Sequence, residues 1–128
     1  MITPAGEDLK RLQEQEAFVT KDGSVIRELL SHRNSAIRNQ SLAEATIPAG
    51  QRTDAHYHRV TEEIYFITAG SGIMHLGSKS FSVSMGDAIA IPPGTVHCIE
   101  AHADQDLVLL CCCAPAYEHD DTVMVPEV

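Results

Sequence analysis

The stretch GQRTDAHYHRVTEEIYFITAG, from Gly50 to Gly70, decides how this chain is read. His56 and His58 are two residues apart, so on a strand both imidazoles leave the same face, close to one another. The polar bend from Arg59 to Glu62 lets the chain re-enter as a strand with Glu63 facing inward. Tyr65 and Ile67 then share the face of Glu63, while Glu62, Ile64 and Phe66 take the other. A second stretch, GDAIAIPPGTVHCIEA from Gly86 to Ala101, ends an apolar run at Pro92-Pro93-Gly94 and starts a strand that carries His97. A closed barrel can bring that distant strand beside His56 and His58. Three neutral imidazoles and one carboxylate form a nitrogen-rich donor set. It suits one divalent transition metal ion (iron, manganese, nickel, zinc, cobalt or copper) better than calcium or magnesium.

Outward from these stretches the chain keeps a short, regular rhythm. Strands are expected at Ser41 to Ile47, His56 to His58, Glu63 to Thr68, Ile73 to Leu76, Lys79 to Val83, Ala88 to Ile91, Thr95 to Ala101 and Leu107 to Cys113. Turns rich in glycine and proline separate them, which predicts an all-β sandwich or barrel. Before the barrel, Gly6 to Phe18 allows a short helix or an irregular arm. Lys21-Asp22-Gly23-Ser24, between two β-prone runs in Phe18 to Leu30, predicts a hairpin, because Asp-Gly accepts the positive φ of a tight turn. The chain therefore reads as one domain: an N-terminal arm and hairpin packing on the barrel over 1–39, a barrel core over 40–113 and an acidic tail over 114–128. The tail, with little periodicity, could fold over the barrel mouth or extend to a neighbouring subunit, but is expected to be exposed.

The two stretches follow the patterns Gly-x5-His-x-His-x4-Glu-x6-Gly, with Gly50, His56, His58, Glu63 and Gly70 fixed, and Gly-x5-Pro-x-Gly-x2-His, with Gly86, Pro92, Gly94 and His97 fixed. Nine specified positions in order resemble the two motifs of the cupin superfamily, specifically a small single-domain member. The resemblance implies a jelly-roll, or double-stranded β-helix, barrel with His56, His58, Glu63 and His97 around one metal ion. Cupins accept either acidic spacing after the second histidine, so Glu62 competes with Glu63; the six-residue gap to Gly70 selects Glu63. Where the second motif ends in asparagine, this chain has Ala101, which touches a structural detail and no ligand. The resemblance also implies a cavity at the barrel mouth, for which Tyr65, Ile67, Met74, Phe81 and Ile99 are candidate walls. Tyr65 is the candidate catalytic residue, because it follows Glu63 on the same face and its hydroxyl could hydrogen-bond a bound ligand. His75 could face the cavity or solvent, while His32, His102 and His119 read as surface residues.

Composition narrows the rest. A net charge of -9 with only nine lysines and arginines argues against nucleic acid and against an anionic membrane surface. No apolar run approaches the ~20 residues of a membrane helix, and the first residues lack the pattern of a secretory signal, so a cytoplasmic protein is expected. Cys98 and the run Cys111-Cys112-Cys113 match neither a disulfide framework nor a zinc motif, and read as small fillers of a buried strand. No separate cofactor-binding motif stands beside the metal set.

Four protein donors leave coordination positions for water, dioxygen or substrate, whereas a structural zinc site is closed and usually rich in cysteine. The leading expectation is a metalloenzyme acting on a small oxygen-bearing molecule that chelates the metal, by dioxygenation or by metal-assisted isomerisation, decarboxylation or lyase chemistry. The alternative is a barrel that binds or senses a small ligand without turnover. By resemblance, a homodimer is expected, with the Phe18 to Leu30 hairpin as a natural element to exchange.

Overall fold

In Glu62–Ala69 every second side chain is buried, from Glu63 through Tyr65 to Ile67, while Glu62, Ile64 and Phe66 are exposed. That alternation belongs to a strand with one face on a core. The structure is a computed structural model that describes residue 6 and residues 8–126. It contains β1 (Phe18–Val19), β2 (Val25–Leu30), β3 (Ser41–Ile47), β4 (His56–His58), β5 (Glu62–Ala69), β6 (Ser71–Leu76), β7 (Lys79–Ser84), β8 (Ala88–Ile91), β9 (His97–Ala101), β10 (Leu107–Ala114) and β11 (Thr122–Met124). Each strand read from the sequence is present within two residues at either end. Among the described residues, the N-terminal arm holds a single 3-10 turn, Leu12–Glu14, which has no buried residue of its own.

Two antiparallel sheets make the barrel: β1-β2-β3-β10-β5-β8 and β11-β4-β9-β6-β7. Their inner faces meet in a core that includes Ile47, Ile67, Met74, Ile99, Leu107 and Leu109. Each of those side chains contributes roughly 1.5–3 kcal/mol by leaving water. The two sheets are cross-linked at tight turns. Gly70 adopts φ +82 between β5 and β6, and a Cβ there would lie 2.3 Å from the carbonyl oxygen of Asp106. No other residue fits that corner.

The hairpin joins the first sheet, with β2 paired to β3 from Val25↔Thr46 to Leu30↔Leu42. One expectation needs correction: the tail is not simply exposed. Thr122–Met124 pairs with His56–His58, and Asp121 Oδ1 and Oδ2 accept from the N–H groups of Val60 (2.9 Å) and Thr61 (3.0 Å). A three-residue strand with mixed composition carries too little alternation to be seen in sequence.

Candidate metal centre

The parity of β4 turns His56 and His58 inward and leaves Tyr57 between them on the other face. His56 pairs with His97 across the β4–β9 ladder. Glu63, the first inward residue of β5, approaches from the opposite sheet. Its Oε1 lies 3.2 Å from Nε2 of His58 and 3.5 Å from Nε2 of His97. One nitrogen from each of the three histidines falls within 4.8 Å of the others. All four residues are buried, at 6% exposure or less.

Hydrogen bonds around the rings fix which nitrogen faces the cavity. Nδ1 of His56 lies 2.9 Å from the carbonyl oxygen of Asp54, and Nδ1 of His97 lies 2.9 Å from that of Thr95. A carbonyl only accepts, so both Nδ1 atoms carry the hydrogen and both neutral rings turn an Nε2 lone pair inward. His58 follows by one more step. Its Nδ1 meets Thr122 Oγ1 at 3.1 Å, and that hydroxyl already donates to the carbonyl of Glu118 at 3.0 Å. The hydroxyl therefore accepts from His58, and the third Nε2 also presents a lone pair.

Nε2 of His58, Nε2 of His97 and Oε1 of Glu63 are buried without a hydrogen-bond partner. The short N–O separations are not hydrogen bonds, since neither Nε2 carries a hydrogen to offer. A buried polar atom left in this state costs roughly 1–3 kcal/mol. Burial, and then the neighbouring His97, lower the pKa of His56 and keep it neutral. Burial raises the Glu63 pKa, and hydrogen bonds and charge from protonated His58 and His97 would lower it to about 2; with the Nε2 lone pairs turned inward, a cation takes over that compensation. Converging lone pairs beside an ionised carboxylate lack only a cation, and the three histidines could hold a metal ion.

Tyr65 and Ile99 line the cavity over these donors, the Tyr65 ring lying 6.0 Å from that of His97. Burial, then the charge of Glu63, raises the Tyr65 pKa well above its usual value, so it is a neutral phenol. Ile67 and Met74 belong to the packed core and do not line the cavity, and Phe81, on edge strand β7, is 37% exposed. Glu62 is exposed. His75 faces outward between Ser80 and Glu100, while His32, His102 and His119 are exposed.

Among the cavity residues that escaped the sequence reading, four bear on the donor set. Cys113, taken for a filler, donates its thiol to Glu63 Oε2 at 3.3 Å, and burial followed by the Glu63 charge pushes its pKa far up. Thr122 and Tyr117 arrive from the tail, and Asp22 from the β1–β2 turn. Only Cys113 carried a signal, its shared parity with Cys111 on a strand paired to β5.

Comparison with known proteins finds relatives of this chain in sequence and in fold. The sequence profile of the family described as Cupin domain matches residues 43–113. An uncharacterized protein of Methanocaldococcus jannaschii is 49% identical over 105 residues, 82% of this chain and 84% of that one. The oxalate-binding protein of Thermotoga maritima is 30% identical over 82 residues, 64% of this chain and 68% of its own length. The polyketide cyclase RemF of Streptomyces resistomycificus superposes with a TM-score of 0.77 at 20% identity, covering 92% of this chain and 84% of the cyclase, a likeness of fold.

Proposed function

This chain belongs to the Cupin domain family, and from that premise we propose that it holds one divalent transition metal ion and acts on a small oxygen-bearing molecule at that centre. His56, His58 and His97 would hold the ion through Nε2, and Glu63 through its carboxylate. The carrying observation is the set of inward lone pairs, each oriented by a hydrogen bond on the far side of its ring. When bound, such an ion supplies a Lewis acid that polarises an oxygen of the substrate. Around it, the chain excludes water with Ile99, Leu109 and Ala45, and offers the Tyr65 phenol as a hydrogen-bond donor to the ligand. Dioxygenation and metal-assisted isomerisation, decarboxylation or elimination all begin from that arrangement.

Elemental analysis of the purified protein, set beside His58→Ala and His97→Ala, tests the reading. One equivalent of metal in the native protein and little in either variant is expected; native protein that takes up no metal would end it. Iron with oxygen-dependent turnover selects the dioxygenase branch, and a redox-silent zinc preparation removes it. A second reading is favoured by the T. maritima relative, described as oxalate-binding: ligand capture without turnover. A thermal-shift screen of carbonyl, catechol and sugar compounds, followed by assay of each hit for product, separates the two. We further propose that the protein is a cytoplasmic homodimer; its four free cysteines, three of them buried, suit a reducing compartment.

A further inference from the structure

Asp22 sits in the turn between β1 and β2, outside the segment matched by the family profile, yet its side chain is only 12% exposed and lines the same cavity as His56, His58 and Glu63. The hydrogen bonds that hold its carboxylate converge on Oδ1: Thr20 Oγ1 at 2.8 Å, the Ser24 N–H at 2.9 Å and Ser24 Oγ at 2.6 Å. Three donors on one oxygen lock the group, and its other oxygen, Oδ2, lies 3.9 Å from Nε2 of His56. The turn itself is pinned to the barrel. Asp54 N–H donates to the Asp22 carbonyl at 2.7 Å, and Lys21 Nζ donates to the carbonyls of His119 and Thr122. An acceptor held this firmly at the wall of a cavity is preorganised for a donor that arrives with the ligand.

Charge sharpens the argument. Arg33 is the one lysine or arginine lining this cavity among the described residues, and its guanidinium is engaged by Glu28, Glu118 and the Tyr117 carbonyl. With Glu28 paired to Arg33, two carboxylates of the wall remain, Asp22 and Glu63, which one divalent ion would neutralise. A dianionic ligand would leave two uncompensated charges in a poorly hydrated space, whereas a hydroxyl could donate to Oδ2 of Asp22.

We propose that Asp22 is a specificity-determining residue that selects hydroxyl-bearing ligands and disfavours dicarboxylates at this centre. The proposal rests on the metal-site reading above. It also separates this chain from what the name of its oxalate-binding relative suggests.

Glycolate and oxalate test it, because both chelate a metal through a five-membered ring and differ in presenting a hydroxyl or a second carboxylate. Nickel-loaded native protein and Asp22→Asn are titrated with each by calorimetry, after metal content and melting temperature are measured. Asparagine can keep all three donors on its Oδ1 while replacing Oδ2 by an N–H donor, so the turn is retained. The ratio of the two dissociation constants cancels the metal's own preference. It is expected to shift toward oxalate by roughly tenfold or more in Asp22→Asn, the worth of a hydrogen bond to a charged group. A ratio changed less than threefold at equal metal content overturns the role of Asp22 and leaves the metal centre standing. Loss of nickel from Asp22→Asn alone overturns it differently, by making Asp22 a metal donor. Failure of both proteins to bind nickel removes the metal-site reading, and the proposal falls with it.

Discussion

Thr122 sets the tautomer of an imidazole that lies 64 residues away in sequence. Its hydroxyl has one hydrogen, given to the Glu118 carbonyl, so it can only accept from Nδ1 of His58. Thr122→Val removes that acceptor without changing shape and lets His58 adopt the other tautomer. Metal affinity is expected to fall about 10–100-fold, read by competition with a chromophoric chelator, while Thr122→Ser holds near the native value. Equal affinity in all three proteins would show that the ring is oriented by packing alone. The neighbouring carboxylates give a second test on the same scale. Glu63 faces the histidines and Glu62 faces solvent, so Glu63→Gln is expected to lower the metal bound per chain and Glu62→Gln to leave it unchanged. Comparable losses from both would undo the assignment of Glu63.

At the scale of elements, β11 and the residues before it act as a clasp. Asp121 uses both carboxylate oxygens on the N–H groups of Val60 and Thr61, and its own carbonyl accepts from Arg59 N–H at 3.0 Å. Burial opposes ionisation of Asp121, but the hydrogen bonds from Thr61 and Val60 outweigh it and lower its pKa. A folded value below the unfolded one means that the contribution is complete above the ordinary aspartate range and is lost as pH falls through the folded value. Asp121→Ala is therefore expected to cost about 1–2 kcal/mol at neutral pH, a loss of several degrees in Tm. The gap from native should close in melts run toward pH 3; a gap independent of pH would assign the loss to packing. The same clasp marks the limit of sequence reading. In β5 and β10, six to eight residues of strict alternation against a core made the strands and the inward side of Glu63 legible. Asp22, Tyr117 and Thr122 lie in turns or in a three-residue strand, where no period forms. Their place in the cavity depends on β11 pairing with β4 and on the β1–β2 turn folding back, which are long-range contacts that no local pattern encodes.

For the whole molecule, the outer face of the six-stranded sheet sets the expectation for assembly. Across β3, β10, β5 and β8 the register aligns Leu42, Cys112, Ile64 and Ala90 in one row, with Glu44, Leu110, Phe66 and Ala88 in the next, where only the β3 member is charged. Ile64 is 52% exposed and Phe66 43% exposed, so this face keeps large apolar side chains in water. Burying each stabilises by roughly 1.5–3 kcal/mol, and a continuous patch of this kind on a sheet is a surface for association. A second copy of the chain, presenting the same rows about a two-fold axis, would cover it. Because the hairpin is already committed to β3, this sheet face is the better candidate for dimer contact than an exchanged hairpin. Sedimentation of native protein is expected to give a dimer, and Ile64→Lys combined with Phe66→Lys a folded monomer. Cys112 gives an independent readout: it is the one exposed cysteine of the four and stands between Leu42 and Ile64. Its alkylation should slow as the native protein is concentrated and stay fast in the double variant. A native chain that sediments as a monomer at tens of micromolar, with Cys112 alkylated at a concentration-independent rate, would rule this assembly out.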